Sequence, residues 1–175
     1  MITQFWDMFI CDAILGNRDR HHGNWGYLKL FDNSGKCIGY IPSPIFDNGG
    51  SLFPDLSRKI GEYSVNGNEL KFLLDMAEKF PASLFRMERS DGSVKRTNYY
   101  EMLGNLKFND ILKNEVYQIR KNIGYSGIRK VTIEVLSNAG ELIPNNYKSF
   151  YLRIIELRYL HIIERIDLKK SVKYL

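Results

Sequence analysis

Residues 17–26 read Asn-Arg-Asp-Arg-His-His-Gly-Asn-Trp-Gly, and residues 44–53 read Pro-Ile-Phe-Asp-Asn-Gly-Gly-Ser-Leu-Phe. These two polar stretches carry two carboxylates, Asp19 and Asp47, and one carboxamide, Asn24, beside several glycines. Because apolar segments precede, separate and follow them, we expect the polar residues to lie in loops held by regular elements. Loops positioned by a rigid scaffold are a common place for binding and catalytic side chains. The three side chains are therefore the first candidates for a functional site.

The spacing of these side chains is typical of phosphoryl transfer. Four residues separate Asp19 from Asn24, as in the protein-kinase catalytic loop, where the Asp accepts the substrate hydroxyl proton and the Asn holds magnesium. Asp47 follows a predicted hairpin and precedes Gly49, as the metal-binding Asp of a kinase precedes its glycine. Carboxylate and amide oxygens are the hard ligands that Mg²⁺ prefers. The pattern predicts Asp19 as general base and Asn24 with Asp47 as metal ligands.

The motifs in this order resemble those of the HipA-like serine/threonine kinases of bacterial toxin–antitoxin systems. The resemblance rests on Asn-Arg-Asp-Arg-His-x-x-Asn-x-Gly from Asn17, followed by Pro-Ile-Phe-Asp-Asn-Gly-x-Ser-Leu from Pro44. It is sharpest from Phe5 to Phe53 and continues more loosely as a helical lobe. The same order of motifs is also similar to phosphatidylinositol kinases, so a lipid kinase relative is an alternative.

This resemblance implies an α+β, predominantly helical fold: a protein-kinase-like C-terminal lobe with a β-hairpin between the catalytic loop and the metal-binding motif. It implies transfer of the ATP γ-phosphate to a protein Ser or Thr hydroxyl, with ATP and Mg²⁺ as cofactors. It further implies a protein substrate and a DNA-binding antitoxin partner. The implied catalytic residues are Asp19, Arg20 and His21, and the implied cofactor-binding residues are Arg18, Asn24, Asp47 and Gly49.

The paired histidines and arginines of the first stretch also have structural interpretations. His21 and His22 are adjacent and point in different directions, and no third ligand lies at a zinc-like spacing. We expect His21 to brace the loop and His22 to have a structural role. Arg18 and Arg20 flank the predicted base, and we expect at least one of them to contact phosphate or the Asp19 carboxylate. Taken singly, the polar residues are also explained by helix caps and turns.

Hydrophobic periodicity and turn residues predict the elements around the motifs. A largely buried helix is predicted over Thr3–Leu15, ended by Gly16, so the catalytic loop should follow directly from a buried helix. Strands are predicted over Trp25–Phe31 and Lys36–Ile41, joined by a polar turn. An irregular segment, a helix, a second hairpin and three further helices are predicted over Pro54–Val65, Asn68–Lys79, Leu84–Tyr99, Asn109–Asn122, Ser126–Asn138 and Asn146–Lys169.

The second predicted hairpin is notable for its positive charge. Arg89, Lys95 and Arg96 lie near its turn. Such residues suit a protein substrate or a nucleotide phosphate, although a solvated hairpin is the simpler interpretation.

Composition sets the outer limits of these interpretations. The 175 residues, of which 44% are hydrophobic and 26% charged, fit one folded domain over residues 1–175. The net charge of +5 suits an anionic ligand, but the positive residues are dispersed, which argues against direct nucleic-acid binding. Cys11 and Cys37 form no disulfide or metal-ligand pattern, and no apolar run has the length of a membrane span. We expect a cytoplasmic protein without membrane contact.

The ATP-binding half of a kinase has no counterpart in the predicted elements. Only one helix precedes the catalytic loop, and no glycine-rich loop with a following strand lysine is found before it. The N-terminal lobe is therefore predicted to be deleted or supplied as a separate subunit. The alternative is a catalytically incomplete pseudokinase that uses the fold to bind a partner. Magnesium-dependent nucleotide binding would distinguish the two.

Overall fold

The structure is a computed structural model that describes residues 2–52, 69–78, 84–104 and 110–164. In these residues the chain is α+β and predominantly helical, with two small antiparallel sheets, as the sequence predicts. The predicted irregular segment Pro54–Val65 lies outside the described residues, as do the predicted helix ends at Asn68, Lys79, Asn109 and Lys169.

The helices of the described residues are α1 Ile2–Leu15, α2 Glu69–Glu78, α3 Tyr99–Gly104, α4 Asp110–Asn122, α5 Gly124–Asn138 and α6 Asn145–Tyr159. The strands are β1 Tyr27–Phe31, β2 Cys37–Pro42, β3 Arg86–Glu88 and β4 Val94–Arg96. Short 3-10 turns lie at His22–Asn24 and Gly140–Leu142, and a π-helical turn, Leu160–Glu164, continues α6. Among the described residues, no helix combines the length and hydropathy that crossing a bilayer requires.

The predicted helices and hairpins are confirmed, but several of their ends differ. Trp25 was predicted to open the first strand and lies before it, because a 3-10 turn over residues 22–24 occupies the chain there. Tyr99 was assigned to the second hairpin and instead begins α3. Its side chain is fully buried and its hydroxyl donates to the backbone oxygen of Asn17. A tertiary contact thus overrides the local pattern. Gly124, at φ 61°, is the first residue of α5.

The hydrophobic core is centred on α1. Phe9, Ile10 and Ala13 of this helix are fully buried, and the helix packs against α3, α4 and α6. Fully burying a side chain such as Phe contributes about 1.5–3 kcal/mol relative to leaving it exposed. The end of α1 from which the candidate catalytic loop leaves is therefore held by the core.

The first hairpin contrasts with this core. In its register Leu28 pairs with Ile41 and Lys29 pairs with Tyr40, with an irregularity after Leu30. Every residue of β1 is exposed, and in β2 only Gly39 is partly covered. Large apolar side chains lie exposed on both faces of the hairpin: Tyr27, Leu28, Leu30, Phe31, Ile38, Tyr40 and Ile41.

Candidate active site

The candidate site begins where α1 ends. Gly16 adopts φ 75°, a conformation that glycine enters without steric cost, and its N–H donates to the Asp12 carbonyl at 2.8 Å. The guanidinium of Arg158, a fully buried residue of α6, lies directly against Gly16, so that any Cβ there would overlap it. Arg158 Nη1 also donates to the carbonyl of Ile14 at 3.4 Å. The turn into the loop is thereby fixed from two sides.

A buried ion pair joins this helix to the loop. Arg20 is fully buried, and its Nε and Nη2 donate to the Oδ2 and Oδ1 of Asp12 at 2.7 and 3.0 Å. Burial raises the pKa of the Asp12 carboxyl, while hydrogen bonds from Arg20 and Asn17 act in the opposite direction. Two parallel bonds between a guanidinium and a carboxylate fix orientation as well as distance. Arg20 is thereby held in a single orientation at the base of the loop.

The same guanidinium ties the two candidate loops together. Its Nη1 donates to the carbonyls of Asn24 at 3.1 Å and Phe46 at 2.6 Å, and Nη2 donates to Asn48 Oδ1 at 2.5 Å. With the two bonds to Asp12, all five N–H groups of a guanidinium are used. A catalytic role for Arg20 stays a prediction, and the bonds indicate how Arg20 could contribute to it. Its donors all bond within this chain, which leaves none for phosphate or for the Asp19 carboxylate, as expected of a residue that positions the loops.

Asn17 sets the position of the predicted base. Its Nδ2 donates to Asp12 Oδ1 at 3.1 Å, and its Oδ1 accepts from the backbone N–H of Asp19 at 3.0 Å. Its own carbonyl accepts from the Tyr99 hydroxyl at 2.7 Å, and burial raises the pKa of that hydroxyl. Asp19 itself is exposed, and within the described part of the chain no hydrogen bond reaches its carboxylate. The backbone of Asp19 is held while its carboxylate faces outward.

The structure brings the two predicted metal ligands together. Asn24 Nδ2 donates to Asp47 Oδ2 at 2.9 Å and to the Asp19 carbonyl at 3.2 Å, although Asn24 and Asp47 lie 23 residues apart in the sequence. Asn24 is 3% exposed, whereas Asp47 is exposed. Asp47 adopts φ 57°, a region in which Asp is several-fold enriched among non-glycine residues. Asp19, Asn24 and Asp47 thus share one small polar site.

The chemistry of these donors fits a magnesium ion. Mg²⁺ is commonly held by one or two protein oxygens, with waters and substrate phosphates completing its coordination. The bonds above leave Asn24 Oδ1 and Asp47 Oδ1 without a hydrogen bond from the described residues. Among those same residues no group of three or more His, Cys, Asp or Glu could hold a metal ion. The donor set suits magnesium, and His21 with His22 does not form a zinc-type cluster.

The second loop approaches the first most closely at Gly50. A Cβ on Gly50 would lie 2.9 Å from both Asn17 Oδ1 and Asp19 Cβ, whereas a Cβ on Gly49 would meet only Asp47 Oδ1, at 4.0 Å. Neither glycine has a positive φ, whereas Asp47 and Leu52 do. Gly50 is therefore the glycine that the packing of the two loops requires. A cofactor-binding role for Gly49 stays a prediction.

The remaining predicted residues lie at the edge of the loop. His21 Nδ1 accepts from the Gly23 N–H at 3.0 Å and caps the 3-10 turn, a contact that would brace the loop. His22 and Arg18 are exposed. The predicted contact of Arg18 with phosphate stays a prediction.

Sequence reasoning missed several residues that build the site. A carboxylate on a helix stripe that is otherwise apolar is a signal that it has a buried partner, and Asp12 could have been found that way. Asn48, Tyr99 and Arg158 carry no local signal, because the partners given above lie 28, 82 and 144 residues away in the sequence. Asn17 enters the prediction only as part of the motif. The missed residues are Asp12, Asn17, Asn48, Tyr99 and Arg158.

The chain is 38% identical over 109 residues to the serine/threonine-protein kinase CtkA of Helicobacter pylori (strain J99 / ATCC 700824). The match covers 62% of this chain and 30% of that kinase, so the chain spans about 30% of the length of the relative. No protein-family model and no solved structure matches the chain. Over the matched stretch, the chain is related to a serine/threonine-protein kinase.

Proposed function

We propose that this chain is the catalytic and magnesium-binding lobe of a HipA-like serine/threonine kinase, which transfers the γ-phosphate of ATP to a protein hydroxyl. The observation that carries the proposal is the hydrogen bond from Asn24 to Asp47, made by a side chain that also holds the backbone of Asp19. The relationship to a serine/threonine-protein kinase supports the same reaction class.

In this proposal Asp19 is the general base. Its exposed carboxylate faces away from the protein, where a substrate hydroxyl can reach it, and Asn17 holds its backbone. Asp19 would accept the hydroxyl proton as the oxygen attacks the γ-phosphorus, while the bond from that phosphorus to the bridging oxygen breaks and ADP leaves. Asn24 and Asp47 would hold Mg²⁺, which when bound supplies neutralisation of the phosphate charge.

Positioning is the main contribution of this protein to the proposed reaction. Phosphoryl transfer requires little covalent chemistry from the enzyme, so the relative placement of base and metal ligands decides the rate. Arg20 supplies that placement, because it bonds to α1, to the Asn24 carbonyl and to the loop around Asp47 at once. Such internal bonding holds the site before substrate arrives.

The exposed first hairpin supports the presence of a second lobe that contributes to the ATP site. It exposes apolar side chains on both faces, and the related kinase is much longer than the matched stretch. We propose that a nucleotide-binding lobe, in the same polypeptide or as a separate subunit, covers this hairpin and completes the ATP site. A protein substrate, an antitoxin partner that binds DNA, and a cytoplasmic location complete the proposal.

The same hairpin favours the second candidate function, a pseudokinase that binds a partner. In that case a partner would bind to the apolar faces of the hairpin, and Asp47 would not contribute to this binding. Binding of the partner would then be insensitive to substitution of Asp47.

Phosphate transfer is the direct test. The chain is incubated with Mg²⁺ and γ-labelled ATP, using casein as acceptor, beside Asp19→Asn and Asp47→Asn. We expect label on serine or threonine from the unsubstituted chain and at least a hundredfold less from each variant. Equal labelling by all three proteins would contradict the proposal. If no protein transfers label, the test is repeated with the nucleotide-binding lobe present, and continued absence of label would favour the partner-binding alternative.

A further inference from the structure

The second hairpin places cations side by side. In its register Arg86 lies directly opposite Arg96, Met87 opposite Lys95 and Glu88 opposite Val94. Directly opposed residues of an antiparallel pair share a face, with Cβ atoms about 4.5–5.5 Å apart. Arg86 and Arg96 are therefore neighbours on one face, and both are exposed.

No ion pair within the described residues neutralises these cations. Like charges directly opposed in a sheet are destabilising, yet no carboxylate of the described residues forms an ion pair with Arg86, Lys95 or Arg96. Asp91 in the turn accepts from the Ser93 N–H at 2.8 Å, and this bonding to Ser93 lowers the pKa of Asp91. Glu88 is the only acidic residue of the two strands. The face therefore presents paired guanidinium groups to an incoming anion.

The hairpin is rooted beside the candidate active site. Phe85, which precedes β3, packs against Phe5 and Phe9 of α1, with ring centroids 5.5 Å apart in each pair. Tyr99, which follows β4, donates to the carbonyl of Asn17, the residue that holds the backbone of Asp19. The basic hairpin therefore packs against α1, the helix that leads into the loop of the predicted base. Tyr99, just after the hairpin, also contacts Asn17 in that loop.

We propose that the exposed face around Arg86 and Arg96 is a docking surface for an acidic segment of the protein substrate. The argument is charge complementarity: adjacent guanidinium groups bind carboxylates through paired hydrogen bonds. The patch has few cations and spans two strands of three residues each, which is small for a surface that follows a nucleic-acid backbone. The identification of the occupant as substrate rests on the proposed function.

Binding of a labelled peptide tests this surface. The probe is a twelve-residue peptide of Glu residues around one Ser, followed by fluorescence anisotropy, and a peptide with Gln in place of Glu is its control. The variant Arg86→Gln with Arg96→Gln is compared with Lys121→Gln plus Lys130→Gln, which removes the same charge from exposed positions on α4 and α5. We expect about tenfold weaker binding in the first variant and less than twofold change in the second.

A gain of binding serves as a second readout that does not depend on a loss. Glu88→Gln removes the acidic side chain beside the arginine pair, and we expect about two- to threefold tighter binding of the acidic peptide. Both effects should diminish as salt rises.

Three outcomes would overturn the proposal: equal weakening in the two double variants, no preference for the Glu peptide over the Gln peptide, or tighter binding of single-stranded RNA than of the Glu peptide. A melt of the same proteins with magnesium and ATP separates this proposal from the proposed function. If the docking surface is wrong, the nucleotide-induced shift stays intact; if the kinase proposal is wrong, the shift is absent whatever the peptide does.

Discussion

The underside of the candidate site and the hairpin that joins its two loops belong to one continuous stretch, yet they are built in opposite ways. Beneath the loops, Arg20 is fully buried with every donor bonded. In the hairpin, Ile38 is 63% exposed and Tyr40 is 57% exposed. The loops are fixed by bonds within this chain, whereas the apolar faces of the hairpin are exposed.

This difference indicates which part of the stretch is stabilised by contacts within this chain. A buried guanidinium and carboxylate are costly to desolvate and are tolerated only when geometry and further hydrogen bonds compensate. An isolated two-stranded hairpin is marginal in water. The underside should therefore tolerate almost no substitution, and the hairpin should tolerate many.

The largest effect is expected from Arg20→Met. The substitution leaves the Asp12 carboxylate buried without its partner, which costs about 3–5 kcal/mol in the free energy of unfolding. Urea denaturation measures it. The control is Lys121→Met, which removes a positive charge at an exposed position on α4, where we expect a change within about 0.5 kcal/mol. An equal loss in the free energy of unfolding at the two positions would contradict the expected sensitivity of the buried ion pair.

The next effect is expected at the contact between the two loops. Gly50→Ala introduces a methyl group 2.9 Å from Asn17 Oδ1 and Asp19 Cβ, so the loops must separate, at a cost of about 1–3 kcal/mol. The control is Gly49→Ala, where the nearest atom would lie 4.0 Å away. Urea midpoints of the two variants give the measurement. A midpoint for Gly50→Ala no lower than that for Gly49→Ala would show that the loops do not meet as described.

The sequence predicts those features of the fold and the site that depend on residues close together in the chain. The helix before the loop, both hairpins and the pairing of Asn24 with Asp47 follow from local periodicity, turn residues and spacing. The role of Arg20 does not, because its partners lie eight residues before it and twenty-six and twenty-eight after it. Spacing identifies an arginine beside a base but not the direction in which its side chain points.

The start of α3 at Tyr99 shows the same limit. Its hydroxyl is bound by a carbonyl 82 residues away, and no local pattern encodes that contact. The sequence also does not predict that both faces of the first hairpin are exposed, because alternation of apolar and polar residues is typical of a strand with one buried face.

A pH-dependent effect is expected from α1. Burial, together with the neighbouring Glu115, raises the pKa of Asp7 from 3.8 to about 6. The folded state then binds more protons than the unfolded state between these values, so the Asp7 contribution to stability falls as pH rises from 3.8 to about 6 and is constant above. Asp7→Asn should gain stability relative to the unsubstituted chain over that window. Urea midpoints at pH 4.5 and 7.5 measure it, and an unchanged difference between the two proteins would contradict the expectation.

The smallest effect is expected in the hairpin. Ile38→Thr with Tyr40→Thr places a β-branched residue, which favours strands, at two exposed strand positions and should change the free energy of unfolding by less than about 1 kcal/mol. The same variant should show less self-association in light scattering, because exposed apolar surface is reduced. A loss as large as that of Arg20→Met would mean that the hairpin is packed within this chain.

The measurement that tests the central claim most directly is a thermal melt with magnesium and ATP. Asp47→Asn keeps the shape of the side chain and suits the left-handed backbone, and Asp110→Asn, at an exposed position on α4, removes the same charge elsewhere. At a hundred times the dissociation constant, ligand should stabilise the fold by about 2.7 kcal/mol. The account predicts that magnesium with ATP raises the melting temperature of the unsubstituted chain and of Asp110→Asn but not of Asp47→Asn. An equal rise in all three proteins, or no rise in any, would contradict it.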